Sequence, residues 1–435
     1  VDGYLANVAK GEKCFVARGL GRSYGDAAQC AGGLVIDTSG LGSVLEADLE
    51  AGWVRVGGGA SLDSLMRVLV PTGWFVPVTP GTRHVTVGGA IAADIHGKNH
   101  HRDGSFCSHV TRLSLSSPTG RHEVSADFDP DLFWATAGGM GLTGVVVDAT
   151  IELVRIDTSY MLVDTERASD IDDCMAKMTE HDTRHRYSVA WVDCLARGAK
   201  LGRAVVTCGD HARLDDLPAQ ARPRARAFEP RLLLQVPFTL PSGVLNPLTA
   251  AVFNEAWYRS APRRRLGQCQ AMTSFFHPLD GIGEWNRLYG RRGFVQYQFV
   301  VPLDAASTVR AVIERLSRER VASFLTVLKR FGPADPGPLS FPIEGWTLAL
   351  DLPLRSPGLG QLLDSLDVQV AEVGGRVYLA KDARLRPELL ETMYPELGTW
   401  RAARDRVDPD NSLASDLSRR TGLTGPGGSA RGGAR

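Results

Sequence analysis

Two rhythms of apolar and polar positions divide the chain. Up to about residue 155, short apolar runs end in glycine. CFVARG, GLVIDTS and GWVRVGGG each predict a strand closed by a turn. Between them, SLDSLMRVLVPTGW puts Leu62, Leu65, Met66 and Leu69 on one helical face, with Ser61 suited to the N-cap and Pro71 expected to stop the helix. DPDLFWATAGGMGLTGVVVDATIELV reads as helix, glycine loop and long strand. From about Thr158 glycine thins out. YSVAWVDCL and GFVQYQFVVP predict longer strands, and stripes at Val309, Val312, Ile313, Leu316 and at Leu359, Leu362, Leu363, Leu366 predict helices. The class is α+β, with a second sheet covered by helices.

One stretch breaks both rhythms. Residues 218–270 are arginine-rich, apolar and interrupted by proline, with little periodicity. They are expected to form a long, partly disordered surface loop. Arginine beside Leu, Phe and Trp also suits a lid or a peripheral contact with anionic lipid. The Gly/Arg-rich end, residues 421–435, reads as a disordered tail. The length of 435 residues suggests two domains, and zero formal net charge removes the basic field that nucleic acid would need. No apolar run reaches membrane-spanning length, and no secretory signal is visible. A soluble or peripheral protein at the inner membrane is expected, its side undecided. Seven scattered cysteines without a CxxC suggest small buried hydrophobes, neither a disulfide framework nor a zinc site.

The chemistry concentrates in three glycine-rich loops. ARGLGRSYGD follows a strand, and its backbone N–H groups can converge on a pyrophosphate. Its spacing is not G-x-G-x-x-G and no clear helix follows, so a Rossmann reading is poor. PGTRHVTVGGAIAADIHGKNHH offers further N–H donors at Gly81, Thr86, Gly88 and Gly89, and GGMGLTG adds a third loop. Together they suggest a large diphosphate cofactor. In HGKNHH, His96 and Lys98 are the first choices for the pocket. His100 and His101 are expected to make structural hydrogen bonds, and no metal is expected.

VARGLGRSYGD, PGTRHVTVGGAIAADIHGKNHH and FWATAGGMGLTGVV resemble the FAD-binding domain of the vanillyl-alcohol oxidase superfamily, also called PCMH-type. IHGKNHHRDGSF, GEWNRLYG, GFVQYQFVVP, FLTVLKRFG and YLAKDAR resemble, more narrowly, the actinobacterial decaprenylphosphoryl-β-D-ribose 2'-oxidase family, flavoproteins of a 2'-epimerase that makes the arabinose donor for cell-wall arabinan. The resemblance runs from about Cys14 to Arg420. It implies a two-domain FAD-binding fold with a sheet-plus-helices substrate domain. The FAD domain would occupy 1–158, lacking its first strand. The substrate domain would be 159–375, and 376–420 a return segment of the FAD domain.

By the same resemblance, non-covalent FAD would be held by Ala17, Arg18, Gly19, Leu20, Gly21, Arg22, Ser23, Tyr24, Gly25, Asp26 and Ala27, with Arg22 where some relatives carry a linking histidine. Gly81, Thr86, Val87, Gly88, Gly89, Ala93, Asp94, Ile95, His96, Val146 and Tyr378 would complete its site. The substrate pocket would take Lys98, Trp191, Tyr289, Gln296, Gln298, Lys329, Thr347, Ala349, Asp351 and Lys381. Ala349 and Thr347 stand where the mycobacterial pattern has cysteine and asparagine. The implied reaction is oxidation of the ribose 2'-hydroxyl of a polyprenylphosphoryl ribose, with Lys381, Tyr24 or His96 as base. An NADH-dependent short-chain reductase would complete the epimerisation. The alternative is an alditol or aldonolactone oxidase of the same fold.

Overall fold

The computed structural model describes Gly3, residues 14–241 and residues 243–424. The expected lack of an opening strand, and the tail from residue 425, lie outside them. β1 (Phe15–Arg18) and β2 (Leu34–Asp37) form a parallel pair. Phe15 is fully buried. Its N–H donates to the Ser412 carbonyl at 2.8 Å, and its carbonyl accepts from Ala414 at 3.0 Å, so the C-terminal segment closes the first strand.

After β3 (Val44–Asp48) and β4 (Trp53–Gly57) comes α1 (Leu62–Thr72), its N-cap Ser61 accepting from the Ser64 N–H at 3.0 Å. Pro71 does not stop it. Pro71 lies inside the last turn, and Gly73 ends the helix at φ 89°, its N–H reaching back to the Leu69 and Val70 carbonyls. The second glycine stretch is partly helical, as α2 (Val87–Ala92), N-capped by Thr86. β5 (Val110–Ser117), β6 (Gly120–Val124), α3 (Pro130–Thr136) and β7 (Val145–Glu152) follow. The strands form an antiparallel sheet in the order β3-β4-β7-β5-β6.

The rest of the chain builds a larger antiparallel sheet. Its elements are β8 (Tyr160–Ala168), α4 (Ile171–Asp182), β9 (Tyr187–Val192), β10 (Ala204–His211), α5 (Pro247–Ser260), β11 (Arg264–Ala271), β12 (Phe294–Pro302), α6 (Ala306–Glu319), β13 (Thr326–Phe331), β14 (Gly345–Pro353), α7 (Leu359–Glu372) and β15 (Arg376–Val377). The strand order is β11-β8-β10-β9-β13-β14-β12-β15. Helices α6 and α7 bury the predicted stripes, α6 beside β12 and β14 and α7 beside β12 and β15.

Two expectations are corrected. Residues 218–270 are not a continuous loop. They contain α5, capped by Asn246 through the Leu248 and Thr249 N–H groups, and β11, the sheet edge. The helix escapes a periodicity reading because Leu248, Val252 and Trp257 are exposed, so no single stripe faces the core. At the other end, Thr421 closes α8 (Asp416–Thr421) and Leu423 is fully buried, so residues 421–424 belong to the packed fold.

Candidate active site

Alternation in the central strands of the large sheet sets the site. Cross-strand partners share a face. Gln296 pairs Asp351, Gln298 pairs Ala349, Ala349 pairs Val327, Val327 pairs Trp191, and Lys329 pairs Thr347. One face of β9, β13, β14 and β12 therefore presents Trp191, Lys329, Thr347, Ala349, Asp351, Gln296 and Gln298. Leu328, Leu348, Leu350 and Phe299 point the other way, into the core. The chain from His96 to Lys98 and the turn Leu379–Lys381 bring further polar groups to this side.

His96 is buried between the rings of Phe331, Phe341 and Tyr378, whose centroids lie 4.8, 5.5 and 5.1 Å away. The Gln298 amide NH2 donates to the Thr347 hydroxyl at 3.0 Å and faces His96 Nε2 at 2.9 Å. That contact makes Nε2 the acceptor and puts the ring proton on Nδ1. Burial, then Lys329 and Lys381, hold His96 well below the usual imidazole range, so it is neutral. Phe331 and Phe341 are contributions that sequence reasoning missed. Phe331 was legible, two residues beyond Lys329 on the same strand face.

Three lysines surround this core. Burial brings Lys381 down to about 8, opposed by Asp351. Burial, followed by Lys381 and Lys98, brings Lys329 to about 7. The Lys329 ammonium has only a long contact of 3.5 Å to the Gly97 carbonyl. Lys98 differs: burial lowers it to about 7, its ammonium donates to the Phe275 carbonyl, and it sits 4.3 Å from the centre of the Phe275 ring. It is thus tied to the neighbouring α-helical turn. Opposite the lysines, fully buried Asp351 accepts from Gln296 Nε2 at 2.5 Å, and burial raises it to about 6.

Tyr24 reaches over from the first glycine loop. Its N–H donates to the Ala380 carbonyl at 3.0 Å, and Lys381 Nζ lies 5.7 Å from its ring centre. Burial and then Asp351 push its phenol up. Tyr289 stacks on Phe294 with centroids 4.2 Å apart, and Phe294 meets Tyr24 edge-on at 5.8 Å. Trp191 donates its indole N–H to the Phe324 carbonyl at 3.2 Å.

The glycine loops fit a dinucleotide, with one change of reason. From Leu20 to Ser23 no backbone N–H finds an acceptor among the described residues, and Gly21 takes φ 61°. Such an exposed run of free donors suits a pyrophosphate. The amides of Gly88 and Gly89 do not serve this way. They donate to the Gly58 carbonyl at 2.7 Å and the Thr86 hydroxyl at 3.1 Å, so what these residues offer is close backbone approach. Val87 and Val146 are buried beside them, Gly81 has open space around it, and Ala17, Arg18 and Gly19 lead into the first loop.

Asp94, at φ 36°, accepts from the Cys107 N–H at 3.0 Å and the Ser340 hydroxyl at 2.5 Å. It thereby fixes the bend through Ala93 and Ile95 that Tyr378 also grips, through its hydroxyl bond to the Ala93 carbonyl at 2.8 Å. Asp26 is engaged by Arg420 at 2.8 and 2.9 Å, so it faces the C-terminal segment, and Ala27 is buried. His100 bonds to Ser105 at 3.2 Å and accepts from the Gly332 N–H, and His101 reaches the His185 carbonyl at 3.1 Å. Unpartnered buried atoms cluster at the site: His96 Nδ1, Gln296 Oε1, Gln298 Oε1 and Asp351 Oδ2. Buried polar atoms normally have partners, so this set fits a polar ligand.

Comparison with known proteins bears on that ligand. Residues 5–125 match the family model described as an FAD binding domain. Over 417 residues, 95% of this chain and 90% of the relative, the sequence is 45% identical to decaprenylphosphoryl-beta-D-ribose oxidase of Mycolicibacterium smegmatis. The chain belongs to the decaprenylphosphoryl-β-D-ribose oxidase family. An uncharacterized protein in mprA 5'region of Streptomyces coelicolor is 44% identical over 83% of this chain and all of its own length. Cytokinin dehydrogenase 4 of Oryza sativa subsp. japonica is 33% identical over only 32% of this chain and 27% of its own. The family membership makes this chain an FAD-dependent oxidoreductase with the two-domain fold of the vanillyl-alcohol oxidase type.

Ala349 gives this family member an inert position at the centre of the polar face. It is buried in the row between Val327 and Gln298. A thiol-directed electrophile that fits the pocket should add no mass at residue 349, whereas Ala349→Cys should be labelled there, as intact-protein and peptide mass spectrometry would show. An unlabelled A349C that still binds flavin would mean that residue 349 does not face the pocket.

Proposed function

We propose that this chain oxidises the ribose 2'-hydroxyl of decaprenylphosphoryl-β-D-ribose to the 2'-keto sugar, the first half of the 2'-epimerisation that leads to the arabinose donor of cell-wall arabinan. The observation that carries this reading is the set of buried amines on the polar face: Lys98, Lys329 and Lys381 near the carboxylate of Asp351, with Lys329 and Lys98 the ones a bound phosphate would hold protonated. A sugar attached through a phosphodiester needs such cations, whereas a free polyol does not. The division into an FAD domain at 1–158, a substrate domain at 159–375 and a return segment at 376–420 accompanies this reading.

FAD, held non-covalently along the Arg18–Gly25 loop, would supply the acceptor for the C2' hydride. Non-covalent binding is supported by that loop, which holds no histidine or cysteine. The protein's task is to bind the phosphodiester, orient the ribose and take the hydroxyl proton. Lys329, with only a long contact to Gly97, suits the phosphate. Gln296, Gln298 and Thr347 offer polar atoms to the sugar hydroxyls, and Trp191 and Tyr289 wall the pocket. Of the three candidate bases, His96 Nε2 already accepts from Gln298, and the Tyr24 phenol is pushed up, away from ionisation. Lys381 has a lowered pKa and makes no hydrogen bond with its ammonium among the described residues. It is the base this arrangement favours.

The keto product needs hydride returned to the opposite face of the sugar, a task for an NADH-dependent short-chain reductase as partner. The lipid tail needs a landing surface. No helix among the described residues is long and apolar enough to cross a membrane. The 218–270 insertion exposes Leu232, Leu233, Leu234, Phe238, Leu248 and Trp257 as well as Arg231, Arg264 and Arg265, a composition that supports peripheral contact with anionic lipid. Co-sedimentation with vesicles containing phosphatidylglycerol should be strong at low salt. Leu233→Asp should cut it severalfold while turnover of a short-chain substrate is kept, and unchanged sedimentation would remove the insertion from membrane binding. Steady-state turnover with a dye acceptor tests the substrate class: polyprenylphosphoryl ribose should be used and free alditols or aldonolactones should not. The reverse preference would move the chain to the sugar oxidases.

A further inference from the structure

On the reverse side of the large sheet lies a second cluster that the oxidation does not use. Cys208 on β10 pairs Ser188 on β9 and Asp164 on β8. Its neighbours in the alternation, Thr207 and Gly209, share the Trp191 side, so Cys208 faces away from the active site. Asp164 and Glu166 share its face. The C-terminal turn of α4 delivers His181 and, just beyond it, His185. Donor atoms of His181, His185 and Cys208 all lie within 4.8 Å of one another.

Ordinary ion pairing does not account for His181. His181 is buried, yet its Nδ1 has no partner and its Nε2 has only Glu166 Oε2 at 3.6 Å, beyond hydrogen-bond reach. A buried imidazole that bonds through neither nitrogen calls for an explanation. Glu166 is itself shared with Lys177 at 3.6 Å and Arg264 at 3.9 Å. His185 is held differently. Its Nδ1 is 2.8 Å from Asp210 Oδ2, leaving Nε2 directed at Asp164 Oδ2, 3.3 Å away. A carboxylate fixing one imidazole nitrogen while the other faces a cluster of donors is the support that metal-binding histidines commonly have. Asp164 Oδ1 accepts from the Gly267 N–H at 2.7 Å, which orients the carboxylate with Oδ2 toward His185.

We propose that His181, His185, Cys208 and Asp164 form a site for a divalent transition metal, zinc by its chemistry. Two imidazoles, a thiolate and a carboxylate are the ligand types of tetrahedral zinc. Around such an ion, donors at about 2.0–2.3 Å lie roughly 3.5 Å apart, so His181, His185 and Cys208 close by small side-chain rotations, and Asp164, 3.3 Å from His185 Nε2, swings in as the fourth ligand. Binding breaks the Cys208 S–H bond, forms a sulfur–metal bond and releases the proton to solvent. Four protein ligands leave no open position, which makes the site structural. It would clip the end of α4 to β8 and β10, against the sheet whose other face carries Trp191.

The flavin-loaded protein is titrated with cobalt and, separately, with zinc in competition with a chromophoric chelator. One cobalt per chain should give ligand-field bands in the red, where flavin does not absorb. Zinc should raise Tm. Cys208→Ser and His185→Gln should each weaken zinc at least tenfold and erase the Tm shift while keeping flavin content. His185→Gln, at a half-buried position, covers the case in which Cys208→Ser fails to fold. Absence of the cobalt bands and of zinc retention, or zinc binding equally tight in a folded variant, would overturn the site.

Discussion

Lys381→Met should lower kcat by about 10²–10⁴-fold while the protein stays yellow and folded. The size follows from the work assigned to the amine. An unperturbed lysine has roughly a thousandth of its population neutral at pH about 7.5. Lys381, brought to about 8 by burial, has roughly a quarter. The sign for pH follows: the base is the neutral amine, so kcat of the wild type, with bound phosphate keeping Lys329 protonated, should climb as pH rises through about 8 and then level. In K381M that limb should disappear. A substrate analogue without the phosphodiester should keep the limb, because it belongs to proton removal and not to phosphate binding. A K381M enzyme within a few-fold of wild type would return the base assignment to Tyr24 or His96. Lys329→Met should separate from it by raising KM more than it lowers kcat.

Gly25→Ala should detach the flavin. A Cβ at this position would lie 1.8 Å from the Asp382 carbonyl oxygen and 3.2 Å from the Ala383 Cα. These are backbone atoms of one segment and cannot yield as a side-chain tip could, so the loop must move off the Leu379–Asp382 turn. That turn carries Lys381, and its Ala380 carbonyl holds the Tyr24 N–H. Overpacking of this kind costs about 1–3 kcal/mol. The larger loss is geometric: the proposed pyrophosphate loop and the proposed base are displaced together. Flavin affinity should fall at least tenfold and kcat with it. Gly40→Ala is the control, since nothing lies within 4 Å of its added Cβ and its φ is not positive. Flavin content and Tm of both variants decide the matter, and a G25A protein with normal flavin affinity would show that the contact does not position the loop.

Much of the polar face was written in the sequence as period two. In FVQYQFVVP and WTLALDLP, Gln296 and Gln298, then Thr347, Ala349 and Asp351, alternate with apolar residues that fill the core. A strand buried on both faces wastes a polar residue unless that face does something, which made the alternation informative. The glycine loops were equally visible, because Gly21 needs positive φ and Gly25 cannot carry a side chain. What stayed hidden depended on partners distant in sequence. Nothing in HGKNHH tells that Lys98 ends on the Phe275 carbonyl, 177 residues on. The amides of Gly88 and Gly89 could not be known to be spent on Gly58 and Thr86 until the turn after β4 was seen against α2. Helix α5 was missed because its apolar residues face outward, and Pro71 misled because the helix runs through it to Thr72 and is ended by Gly73 in the left-handed conformation. The acceptors on β8 that give His181 and His185 their meaning lie some twenty residues away, across the sheet.

The central claim is oxidation at a lipid-linked ribose, and one anaerobic experiment tests it most directly. The purified yellow protein is mixed with polyprenylphosphoryl ribose without oxygen, its visible spectrum is followed, and the sugar product is analysed by mass spectrometry. The account predicts bleaching by one equivalent of substrate and a product lighter by two hydrogens, with the keto group at C2'. Protein that stays oxidised with this substrate but bleaches with a free polyol would contradict it.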